Sequence, residues 1–329
     1  MTRSEYSRKK AAVRNAGLKE TTARIAETRR MYRRQLEKVN RVVVKLPKGK
    51  LSEESIARID GVIDKRECVE KLTAIVSGAS LKMARRVVSV DADYITDAGK
   101  EAGVEFSGLK EAFDRIARKA TERNRRTAFV FRNSTKYNLS EAVWNAVEGF
   151  SDKLKAVVEA EFARGTDPVK IARLLEEYLE SGDEGIILGR WGEMEPGMSD
   201  YRKRIGRGGA DYRTQRLVRT EIFNTIRNAD IRSGAANPGT TGKWRWVMVA
   251  SRGDWDCDCP SRAAGGPYTQ ERVQELVDTT HPNCFCRIEP ELMEHDAFIE
   301  SLLDYVDGKD TAGARRIEEW SGQYDVIAA

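Results

Sequence analysis

Apolar positions recur along most of this chain at intervals of three, four and seven, the signature of helices that bury one face. In the first fifty residues Leu18, Ile25, Tyr32, Val39 and Leu46 return every seventh position, with Leu36 and Val43 four after Tyr32 and Val39. Thr22 and Arg29 take the matching places earlier on, so the stripe is well formed only in its second half. The spacing predicts a long amphipathic helix that packs on the body or on a partner, ended by Pro47-Lys-Gly49. Residues 51–182 continue in helical period. Ser52-Glu-Glu-Ser opens a segment with Ile56, Ile59, Ile63 and Leu72 at helical spacings. Another runs near 107–131, with Leu109, Phe113, Ile116 and Ala120 on one face. Ser140 is the expected N-cap of a third, which carries Val143, Trp144, Val147, Phe150, Leu154, Val157 and Val158 and is closed by Gly165, and Thr166-Asp167-Pro168 restarts the chain with Pro at the first helical position.

Between residues 182 and 210 eight glycines and Pro196 interrupt this pattern. Beyond it, 211–233 is helical again, Lys243-Trp-Arg-Trp-Val-Met-Val alternates as a strand does, a short helix is expected around 269–278, and 285–289 reads as a second strand. Helical stretches near 291–306 and 310–321 follow. The expected fold is mainly α with a small α+β module: an elongated helical body plus a zinc-stabilised C-terminal module. The expected division is a basic arm (1–50), a helical body (51–182), a Gly-rich linker (183–210), a Cys/His-bearing module (211–290) and C-terminal helices (291–329).

Charge sharpens the picture of the arm. Residues 1–50 carry sixteen Lys and Arg against four Glu, a net +12, while the remainder carries 41 basic and 48 acidic side chains, a net −7. So concentrated an excess suits contact with a polyanion. Arg8, Lys9, Lys10, Arg14, Arg29, Arg30, Arg33 and Arg34 are the candidate nucleic-acid contacts, binding duplex DNA without sequence preference, from an arm separable from the folded body. No apolar run reaches the roughly 18 residues a membrane-spanning helix needs.

The chemistry lies in the cysteines. Cys257-Asp-Cys259 and His281-Pro-Asn-Cys284-Phe-Cys286 supply five soft ligands for the four places around a tetrahedral zinc. The loop that holds them has too little apolar content to fix its own shape, which a structural zinc would do. Buried free thiols and a disulfide are the competing readings; a reducing cytosol favours metal. Cys68 stands apart as small core filler.

Taken in order, Arg216-Leu-Val-Arg219-Thr220-Glu221-Ile-Phe-Asn224, Asp256-Cys257-Asp-Cys259-Pro260, Gly266-Pro267-Tyr268 and His281-Pro282-Asn283-Cys284-Phe-Cys286 resemble the head morphogenesis domain of phage minor head proteins, the family of the phage Mu F protein. The similarity spans roughly residues 140–290 and departs from the family in leaving one residue, not two, between the first two cysteines. It implies a minor capsid protein inside the head at the portal vertex, made in the host cytoplasm, with portal protein, capsid components and packaged DNA as partners. It singles out Arg219, Thr220 and Glu221 as a structural motif and implies no enzyme. The alternative is an effector of ADP-ribosyltransferase type, for which Glu193-Met-Glu195 offers only a bare pattern, or a metal-dependent hydrolase.

Overall fold

A computed structural model describes residues 1–48, 51–126, 129–130, 136–137, 139–181, 212–248, 258–281 and 284–328. The protein is mainly helical, with small antiparallel two-stranded sheets. Its described elements are α1 (Arg3–Val43), α2 (Glu53–Val62), α3 (Lys65–Ala102), β1 (Phe106–Ser107), α4 (Leu109–Arg126), β2 (Phe129–Val130), β3 (Lys136–Tyr137), α5 (Leu139–Ala163), α6 (Pro168–Ser181), α7 (Tyr212–Ala235), β4 (Thr240–Val247), α8 (Cys259–Ala264), α9 (Gln270–Asp278), β5 (Arg287–Leu292), α10 (His295–Val306), α11 (Ala312–Tyr324) and β6 (Ile327–Ala328). They gather into two compact units, each assembled from separated stretches of chain.

The first unit comprises Met1–Glu20, Ser77–Asn138 and Thr220–Ala329. It includes the start of α1, so these residues do not form a separable arm. Tyr6, Lys10, Val13 and Gly17 all point inward, and Gly17 is held by close approach, since a Cβ there would lie 2.7 Å from Ile226 Cδ1. Tyr6 meets the edge of Tyr94, which stacks on Phe298 at 5.7 Å. Lys10 is the exception among inward side chains, and its charge is matched locally. Nζ lies 2.7 Å from Asp91 Oδ2 and 2.8 Å from Asp230 Oδ1. Asp91 also accepts from Tyr6 Oη (2.6 Å), Ser233 Oγ (2.6 Å) and Asn237 Nδ2 (3.1 Å), so a fully buried carboxylate has every lone pair occupied. The C-terminal helices belong to this unit as well: Trp320 Nε1 donates to the Ala236 carbonyl, and β6 pairs with β1.

The second unit comprises Thr21–Val76 and Leu139–Arg219. Here the heptad stripe of α1 does what its spacing predicts: Ile25, Tyr32, Leu36, Val39, Val43 and Leu46 are buried. Tyr32 stacks on Phe150 at 4.0 Å, and its hydroxyl shares a hydrogen bond with Thr214 Oγ1. Ser52 caps α2 through the Ser55 amide. Gly165 adopts φ +74° after α5, with the Schellman pairing of Thr166 N to Glu161 O and Gly165 N to Phe162 O. Cys68 is buried, and burial pushes its thiol up to about 12, as befits an inert core residue.

Candidate metal centre

The ladder β4–β5, in the first unit, is the frame of the centre. It is antiparallel, with Trp246 opposite Ile288 and Trp244 opposite Pro290. Alternation along β4 turns both Trp244 and Trp246 inward, where each is nearly inaccessible. Tyr268 extends the frame by exchanging two backbone hydrogen bonds with Trp244 (2.9 and 2.7 Å). Under this frame Ile231, Val273, Leu276, Val277 and Ile288 form an apolar cluster with three cysteines in it: Cys259, Cys284 and Cys286.

Three chain segments bring the cysteines and His281 together. Cys259 opens α8, with Pro260 at its start. His281 follows α9, and Cys284 and Cys286 lie just before β5. The three Sγ atoms fall within 4.8 Å of one another, close enough to hold a metal ion, and none of these cysteines is in a disulfide. Cys259 Sγ lies 3.7 Å from Cys284 Sγ and 3.3 Å from His281 Nε2. For ligands on a tetrahedron with bonds of about 2.3 Å to sulfur and 2.0–2.1 Å to nitrogen, the S···S and S···N edges are about 3.8 and 3.6 Å. The Cys259–Cys284 distance matches such an edge, and the three sulfurs lie mutually close enough for one ion, while His281 stands beside Cys259 without joining that mutually close set. Crowding divides the thiols: hydrogen bonding with Cys284 and Cys286 pushes Cys259 up, and hydrogen bonding with Cys259 and Cys286 holds Cys284 down, with the positive charge of Arg227 adding to the effect. Cys257, the fifth candidate, lies outside the described residues.

Two arginines, neither singled out by the residue pattern, grip the segments that carry the ligands. Arg262 of α8 donates to the carbonyls of Leu276 (2.5 Å) and Thr279 (3.2 Å) at the end of α9, and lies 5.2 Å from the Trp246 ring centroid. It thus ties the Cys259 helix to the segment leading into His281. Arg227 of α7, wholly buried, donates from Nη1 to the carbonyls of Cys284 (3.1 Å) and Cys286 (3.0 Å), and from Nη2 to Asn224 Oδ1. The signal that marks it in the sequence is its phase. Arg227 stands four residues from both Phe223 and Ile231, inside an apolar stripe where a charge needs a reason.

The other candidate residues distribute as follows. Arg219, Thr220 and Glu221 are all buried on α7. Of the basic set, Arg8, Lys9, Arg30, Arg33 and Arg34 are exposed, while Arg14 and Arg29 are half-buried. Lys9 pairs with Asp93 at 3.0 Å. Lys10 must be withdrawn from the nucleic-acid candidates, because its ammonium is enclosed by Asp91 and Asp230 and cannot reach a phosphate. Glu193 and Glu195 lie outside the described residues. Among the described residues no helix is long and apolar enough to cross a membrane.

Set beside known proteins, the chain has no counterpart that bears on these residues: no family model matches it, and no curated protein or solved structure matches it significantly.

Proposed function

We propose that this protein is a minor structural component of a tailed-phage head, built around a zinc-stabilised module and associated with the portal vertex. The observation that carries the reading is the convergence of Cys259, Cys284 and Cys286 inside an apolar core, with His281 beside Cys259 as the proposed fourth ligand. Zinc is the ion this donor set suits, with three thiolates and one imidazole filling four tetrahedral places. A sphere filled by protein ligands leaves no position for a water or a substrate, so the ion's work is to hold α8, the His281 segment and the entry to β5 together. Such sites supply about 10–16 kcal/mol of apparent binding energy to the folded state. The placement in a phage head rests on the motif order from Arg216 to Cys286. The exposed arginines of α1 suit sequence-independent contact with DNA packaged there.

Mass spectrometry of virions purified from a host producing this protein tests the placement. A few copies per particle, retained after nuclease treatment, are expected. A protein found only in the unassembled lysate fraction contradicts it.

A further inference from the structure

We infer that Arg227 is the positioning and charge-balancing residue of the cysteine centre. The inference rests on the metal reading above and deepens it. Three thiolates around a divalent ion leave a net charge of −1 whichever neutral group takes the fourth place, and a net charge buried in an apolar cluster is costly unless an opposite charge stands by. Arg227 is wholly buried, yet among the described residues its hydrogen-bond acceptors are all neutral: the carbonyl oxygens of Cys284 and Cys286 and the side-chain oxygen of Asn224. No carboxylate among the described residues pairs with it. Its Nε has no hydrogen-bond partner there either. A buried guanidinium in such surroundings needs an anion, and the metal-loaded thiolate centre next to its two carbonyl acceptors is the anion at hand. The same fork fixes geometry. By holding two carbonyls that flank Phe285, Arg227 sets the turn that aims Cys284 and Cys286 at one point. Partners behind the ligands commonly tune metal affinity in this way.

The test uses the full chain loaded with zinc, and with Co²⁺ as a spectroscopic stand-in. Zinc affinity is read by competition with a chromophoric chelator for the unsubstituted protein, Arg227→Lys and Arg227→Met. Loss of both charge and fork in Arg227→Met is expected to weaken zinc about 100-fold. Arg227→Lys keeps the charge but not the fork, and is expected to weaken it about 10-fold. The Co²⁺ complex of Arg227→Lys should keep tetrahedral absorption with an altered sulfur-to-cobalt charge-transfer band, a change that general loss of packing would not produce. If Arg227→Met does not fold in excess zinc, Arg227→Lys decides alone. Affinities equal to the unsubstituted protein overturn the inference, as do equal losses in Lys and Met with an unchanged cobalt spectrum. An unsubstituted protein that binds no zinc overturns the metal reading itself, and this inference with it.

Discussion

Lys10 Nζ and Asp230 Oδ1 lie 2.8 Å apart in the buried centre of the first unit, although 220 residues separate them in the chain. With Asp91 on the other side of the ammonium, this contact makes the beginning of α1 a structural part of that unit. Removing one partner from a buried ion pair leaves the others uncompensated and typically costs about 3–5 kcal/mol. Lys10→Met is therefore expected to lower the urea midpoint sharply, and deletion of residues 1–20 to abolish the cooperative transition. A truncated protein that unfolds at the parent's midpoint would return these residues to the status of a dispensable arm.

Asp230 also makes stability depend on pH. Burial raises its carboxyl to about 6, against the pull of Lys10 and with help from the negative charges of Asp91 and Glu289. The folded state thus takes up this proton more readily than the unfolded one, whose carboxyl has the ordinary value of 3.8. The stabilisation from protonation is complete below about 3.8 and is lost as pH rises through 6. Between pH 7 and pH 5 the unsubstituted protein should gain stability relative to Asp230→Asn, as measured by urea midpoints at each pH. A gap between the two that stays constant over this window rules the linkage out.

Helix content and most helix ends are legible in the sequence because their signals are local. The seven-residue stripe, the Ser52 cap, the Gly165 stop and the Pro168 restart all act within a turn of where they stand. The grouping of helices is not legible. The inward face of α1 continues toward its start through Lys10, Gly17, Thr21 and Thr28, whose burial depends on partners far away in sequence. Read for hydrophobicity alone, the stripe passes over these positions, and Lys10 falls among the solvent-facing cations. At the candidate metal centre the residue types and spacing mark five candidates, of which Cys259, Cys284 and Cys286 come together. Arg227 and Arg262 stay hidden because their acceptors are backbone carbonyls, which leave no mark in composition.

The proposed ligand set makes a discriminating prediction about the fifth candidate. If the zinc takes Cys259, Cys284 and Cys286 with His281 as its fourth ligand, Cys257→Ser should keep one zinc and the parent's melting temperature. Cys259→Ser, Cys284→Ser and Cys286→Ser should each lose the metal and melt about 10 °C lower or more, a shift of the size that a few kcal/mol produces in a chain of this length. Zinc content measured alongside thermal unfolding checks all four variants. Metal loss in Cys257→Ser, with retention in Cys259→Ser, would reassign the ligand.

On the proposed reading, contact between α1 and nucleic acid would fall to its exposed residues. The triple change Arg30→Glu, Arg33→Glu, Arg34→Glu should weaken duplex DNA binding at low salt and flatten its salt dependence. The slope should fall by about 0.9 for each phosphate that is no longer neutralised. Fluorescence anisotropy across a salt series reads both quantities. An unchanged slope would assign this charge to a protein partner.

The most direct measurement is the metal content of the purified full-length chain, by native mass spectrometry before and after incubation with a strong chelator. One zinc per chain is expected, with metal removal lowering the melting temperature and re-addition restoring it. A chain that carries no zinc after expression in zinc-supplemented medium, and melts identically in chelator, contradicts the metal-stabilised module.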